Sequence, residues 1–218
     1  MHRVINLTAI FFILTFIVCF SSDMTHSSED KIMDSIMSEL PGFEELKKYH
    51  PDVYQEILVQ IQEYAKSGDE DTIKSIVQAQ VMAMFAKDVL KAPPEAIVEY
   101  LNSTNKLIDY ASERDPKCCD SFLRGDTRCF EQILSFAEMK EYLTMMGNVI
   151  RLAHTKTSTQ KLDEEKATAD IVKISTSDEL PVGDNCKLSI YIFESFAELP
   201  PDRMSNAFKY MIQSVAPQ

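Results

Sequence analysis

Residues 127–154 read TRCFEQILSFAEMKEYLTMMGNVIRLAH, and the other segments are organised around them. Between Cys129 and Ala153, fifteen of 25 residues are apolar, while Glu131, Ser135, Glu138, Glu141, Thr144, Asn148 and Arg151 recur at steps of three and four. Such steps confine the polar side chains to one narrow stripe of a helix, so protein must cover the remaining surface from several sides. The pattern predicts a central helix over 127–154, capped by Asp126 or Thr127.

Composition agrees with a helical core. The chain has 218 residues, 45% of them hydrophobic, with five glycines, eleven methionines and no tryptophan. That length and apolar content exclude intrinsic disorder, and the balance suits packed helices better than a loop-rich β sandwich. A formal net charge of −12 excludes nucleic acid and anionic lipid as partners, because both require basic patches. Solubility of an exported chain is a sufficient reason for the acidity.

The N-terminal segment reads as an address. Met1-His2-Arg3 is a short basic start, Val4 to Phe20 is almost continuously apolar, and Cys19-Phe20-Ser21 places small residues where a signal peptidase reads. A cleaved signal peptide over 1–21 follows, with mature chain from Ser22 and no membrane attachment after cleavage. An uncleaved anchor competes, since the run is near the lower edge of membrane-spanning length, but no basic stop follows Phe20. Lipid attachment at Cys19 is a minor alternative, disfavoured by the bulk of Val18. The expected location is secreted or periplasmic.

Helical signals continue along the chain. Ser27 and Asp30 resemble a capping box before Ile32, Met33, Ile36, Met37 and Leu40, and that helix stops at Pro41-Gly42. A short helical turn over 43–49 leads to a helix from Pro51, with Val53, Ile57, Leu58, Ile61 and Tyr64 as its buried stripe and Gly68 as its end. The segment GDEDT at 68–72 lacks the ligand spacing of a calcium loop. A helix over 72–91 is apolar on most sides and should lie against the central helix. Pro93-Pro94 opens a third long helix ending near Arg114, which contains the sequon Asn102-Ser103-Thr104. Residues 115–126 form a cysteine-bearing connector with a helical turn around Cys118 to Leu123.

After His154, residues 155–161 read as an exposed loop or hinge. Asp163-Glu164-Glu165 then starts a helix whose candidate contacts are Ala169, Ile171 and Val172. The span 171–193 is open to two readings, helix or small hairpin. Helix is preferred for 186–199, because only Ile171–Ser175 offers a second strand and a lone hairpin is marginal in water. Pro200-Pro201-Asp202 starts a last helix with Met204, Ala207, Phe208, Met211, Ile212 and Val215 on one face. The sum is an all-α, compact multi-helix domain of about seven or eight helices, disulfide-stapled. Its parts are a helical core over 22–154, the hinge, and C-terminal helices over 162–218 packed on that core.

Cys118, Cys119, Cys129 and Cys186 form an even set in a chain read as exported, so two structural disulfides are expected. A vicinal Cys118–Cys119 bridge would be strained, so one of these two should pair with Cys129 and the other with Cys186. No CxxC pair supports a zinc or redox centre. His26, His50 and His154 are isolated in sequence, and neither HExxH, GxSxG nor a P-loop occurs. His154 with Arg151 and Lys156 reads as a cationic helix terminus. Met33 with Met37, and Met145 beside Met146, would be the soft ligands for copper, but each lies in an apolar helical pattern and reads as core filler. No catalytic, cofactor or metal residues are assigned from sequence. The leading expectation is an exported helical protein that binds a protein partner without catalysis; the alternative is a carrier for a small apolar ligand between helices.

Overall fold

A computed structural model describes residues 41–67, 70–123, 133–156, 158–181 and 183–215. Within them the chain is all α-helical and holds nine helices: α1 (Phe43–Tyr49), α2 (Pro51–Ser67), α3 (Glu70–Lys91), α4 (Pro94–Arg114), α5 (Pro116–Leu123), α6 (Phe136–Thr155), α7 (Glu164–Ser175), α8 (Asn185–Ala197) and α9 (Pro201–Val215). The segment read as a signal over 1–21 and the helix read over 27–40 lie outside the described residues. No helix among the described residues is long and apolar enough to cross a membrane.

The central helix of the sequence reading is present but starts later than 127. Phe136 is the first residue of α6, and its cap is Ser135 rather than Asp126 or Thr127. Ser135 and Glu138 form a reciprocal capping box: the Ser135 hydroxyl accepts from the Glu138 backbone N–H at 3.3 Å, while the Ser135 N–H donates to Glu138 Oε2 at 2.7 Å. Two residues of the supposed polar stripe therefore satisfy orphan N–H groups at a helix start. Arg114 reaches across from the end of α4 to grip Glu138 with both Nη atoms. Farther along, the stripe behaves as expected, with Glu141 facing solvent and Tyr142, Leu143, Met146, Val149, Ile150 and Ala153 buried.

α6 rests against α1, α3 and α4, yet α4 holds the two halves of the molecule together. One side of α4 meets α6, and other faces meet α5, α8 and α9, while α9 also reaches α3. Tyr100 of α4 marks this centre: its ring lies 5.1 Å from Phe85 of α3, 5.8 Å from Tyr142 of α6 and 6.1 Å from Phe208 of α9. Its hydroxyl lies 3.2 Å from that of Tyr142, which leaves neither phenol to face the apolar interior alone. Burial pushes the Tyr100 phenol up to about 12.

Several stripes differ from the sequence reading. Tyr54, absent from the predicted stripe of α2, is fully buried beside Ile57, and the Ile61 and Tyr64 side chains lie outside the described set. Leu90 of α3 is 37% exposed, whereas Asp88 of the same helix is buried. On α7 the buried positions are Ala167, Asp170 and Ile174, while Ala169 and Val172 face out. Asp170 is there because Arg203 of α9 grips its carboxylate, with Nε donating at 3.0 Å. Ser103 and Thr104 of the sequon are buried in mid-helix, and the Thr104 hydroxyl donates to the Tyr100 carbonyl.

The segment read as helix over 186–199 is helical from Asn185 to Ala197. Asp184 caps α8 by accepting from the Lys187 N–H, and the next residue but one, Cys186, is bonded to Cys119 with a Cα separation of 5.9 Å. Cys118 is disulfide-bonded as well. Cys129 lies outside the described residues. Met146 is core filler, 1% exposed.

Candidate metal centre

The C-terminal ends of α1, α3 and α6 converge. His50 is the residue at which α1 ends and α2 begins: its N–H donates to the Leu46 carbonyl at 2.8 Å, and its carbonyl accepts from the Tyr54 N–H at 3.0 Å. With Pro51 fixed at the first position of α2, the His50 backbone is held on both sides. Asp88 lies in the last turn of α3 and His154 in the last turn of α6. The C-terminal ends of α1, α3 and α6 carry partial negative charge, opposed in part by the positive N-terminus of α2 at Pro51.

The side chains strengthen that field. Asp88 is fully buried, and its two oxygens are divided between the imidazoles: His50 Nε2 lies 2.5 Å from Oδ2 and His154 Nε2 lies 3.2 Å from Oδ1. The two Nε2 atoms are themselves 3.2 Å apart. Burying a lone carboxylate costs several kcal/mol, roughly, and this one is compensated by groups able to donate protons or to share a cation.

The separation of the ring nitrogens matches a coordination set, while the 2.5 Å between His50 Nε2 and Asp88 Oδ2 is that of a hydrogen bond, which an ion would replace. Ligands standing about 2.0–2.1 Å from a tetrahedral ion are separated by roughly 3.3 Å, close to the 3.2 Å between the ring nitrogens. Among the described residues, His50, Asp88 and His154 form a group of three ligand atoms within 4.8 Å of one another. An ion at their centre would take the Nε2 lone pairs, placing the ring protons on Nδ1.

Neighbouring groups hold the rings in place. Tyr49 stacks on His154 with centroids 4.9 Å apart and planes 13° from parallel, while His50 meets His154 edge-on at the same separation. The carbonyls that end α3 are occupied elsewhere: Lys91 O accepts from the Ser158 N–H at 2.8 Å, and Ala92 O accepts from Lys209 Nζ at 2.6 Å. Burial pushes the Lys209 ammonium down. Helix α3 is thereby anchored immediately after Asp88.

The cationic terminus read at 151–156 separates into three partnerships. Arg151 lies 3.9 Å from Glu45 and bonds Asn148, Lys156 pairs with Glu95, and His154 turns to Asp88. Separations of 38, 66 and 104 residues explain why no spacing motif announces the site. One signal was legible: Asp88 falls in line with Val81, Met84 and Phe85, a carboxylate on an apolar face. Neither family models, curated proteins nor solved structures yield a match to this chain.

Proposed function

We propose that this chain is an exported binding protein whose ligand is a divalent transition-metal ion held by His50, Asp88 and His154. The observation that carries the reading is the convergence of two imidazole Nε2 atoms on one fully buried carboxylate. Two nitrogen donors argue against calcium and magnesium, which prefer oxygen shells, and the lack of a thiolate in the set argues against Cu(I). Zinc is the first expectation. Export is supported by the Cys119–Cys186 bridge, because such bonds persist in oxidising compartments, and by the apolar run near the N-terminus.

The two expectations from sequence, a protein partner and a small apolar ligand, stand beside this reading. Val59, Leu90 and Val172, the large apolar side chains exposed among the described residues, lie on α2, α3 and α7. A small apolar cavity beside Gly42, Phe43, Met84 and Leu143 measures about 10 Å³, room for about one water.

Equilibrium dialysis of the disulfide-intact protein against Zn²⁺ tests the proposal. The expected result is one ion per chain, with affinity weakened roughly tenfold or more in His50→Gln and in His154→Gln. Far-UV circular dichroism checks that both variants fold. Absence of uptake by the wild-type chain, or uptake untouched by both substitutions, would overturn it.

A further inference from the structure

We infer that the ion at this site keeps one coordination position open toward solvent and takes a small carboxylate there. The inference rests on the metal reading above and adds the ligand that completes the shell.

The first argument is the number of donors. Among the described residues the set contains three ligand atoms, one fewer than the four with which structural zinc sites are closed. Three protein donors and one exchangeable position is the arrangement of sites that handle a second molecule.

The second argument is direction. Asp88 is 0% exposed and forms the floor, whereas the side chains of His50 and His154 are 19% and 28% exposed and form the rim. An ion resting on all three has its free vertex on the solvent side, beyond the rings.

The third argument is charge. Two neutral imidazoles and one carboxylate leave a divalent ion with one uncompensated positive charge, which favours an anionic fourth ligand. Lys48 Nζ, itself near Glu44 and Glu45, lies 4.9 Å from the centre of the Tyr49 ring, and that ring stacks on His154. The chain as a whole carries −12. Its long-range field opposes acidic macromolecules, so a small acid is the anion that fits both the local and the global potential.

The test uses the full, disulfide-intact chain loaded with one equivalent of Co²⁺, whose visible bands report coordination number and ligand type. Acetate is the probe, and N-methylimidazole is the neutral comparison. The expected result is a saturable shift of the bands with acetate at one acetate per cobalt. Bands that move with N-methylimidazole but not with acetate would overturn the carboxylate assignment. Bands that move with neither would show a closed shell and overturn the open position, leaving the metal reading intact. Failure of dialysed protein to retain any Co²⁺ would remove the metal reading itself, and this inference with it.

Discussion

Gly42 and Gly147 meet backbone to backbone where α1 crosses α6. A Cβ built on Gly147 would stand 2.8 Å from Gly42 Cα, and one built on Gly42 would stand 2.8 Å from the Leu143 carbonyl oxygen. Gly42 also has a φ of 90°, in the left-handed region that side chains disfavour. This contact sets how closely α1 approaches α6, and hence where His50 lies relative to His154. Gly147→Ala should push the helices apart and destabilise the fold by about 1–3 kcal/mol. Urea denaturation measures it, and a variant as stable as wild type would refute the close contact.

Leu143 and Asn148 separate the two faces of α6. Leu143 is 1% exposed, while Asn148 is only half-buried and bonds Arg151. Leu143→Asp should bury a charge without a partner and cost about 4 kcal/mol or more, enough to unfold much of the population. Asn148→Asp should shift the melting temperature little. Similar melting temperatures for the two variants would contradict the assignment of faces.

Glu138 links the start of α6 to the end of α4, and its ionisation makes that link sensitive to acid. Hydrogen bonds from Arg114 are the largest cause, with support from the Ser135 N–H and hydroxyl, and together they lower the carboxyl from 4.5 to about 2. A depressed acid contributes stability that is fully present above its unfolded value and lost as pH falls through the folded one. Wild-type protein should therefore lose stability between pH 4.5 and 2 more steeply than Glu138→Gln. At neutral pH the variant should be weaker by about 1 kcal/mol, a figure limited by solvent screening at this partly exposed pair. Denaturation curves across that range decide it; parallel curves would exclude the role.

Cys119 and Cys186 are 67 positions apart, and their bridge ties the start of α8 to α5. In the chain-entropy account a loop of that size is worth about 4 kcal/mol. Cys186→Ser should leave α1 to α6 folded while residues beyond 156 exchange amide protons faster and become more open to protease. Uniform loss of protection along the chain would contradict this. With Cys119 paired to Cys186, peptide mapping without reductant should recover Cys118 joined to Cys129.

Periodicity and punctuation determined the fold class. Apolar residues at helical spacing, prolines at helix starts and aspartates before helices are local features, so the boundaries at Pro51, Lys91, Arg114, Asp163 and Pro201 were legible within a residue or two. The start of α6 was misread because Ser135 and Glu138 have the spacing of a solvent stripe as well as of a capping box, and the stripe extended the helix backward. On α7, Ile171 packs against the core as read, but Ala169 and Val172 face out, and the buried Asp170 was missed for a related reason. Asp170 counts as polar in any pattern, but Arg203, 33 positions away, makes its burial affordable.

Apart from Asp88 on its apolar helix face, the candidate metal site belongs to the tertiary structure. A sequence determines which residues can ligate an ion, and here it supplied isolated histidines and many carboxylates. Bringing His50, Asp88 and His154 within ligand distance required the end of α1, the end of α3 and the end of α6 to meet. That meeting depends on packing across long separations, including two glycines that let α1 approach α6 and the Tyr100 cluster that joins α3, α4, α6 and α9. Local propensity carries no information about such distances, because helix formation is decided over a few residues and convergence is decided by the burial of the whole core.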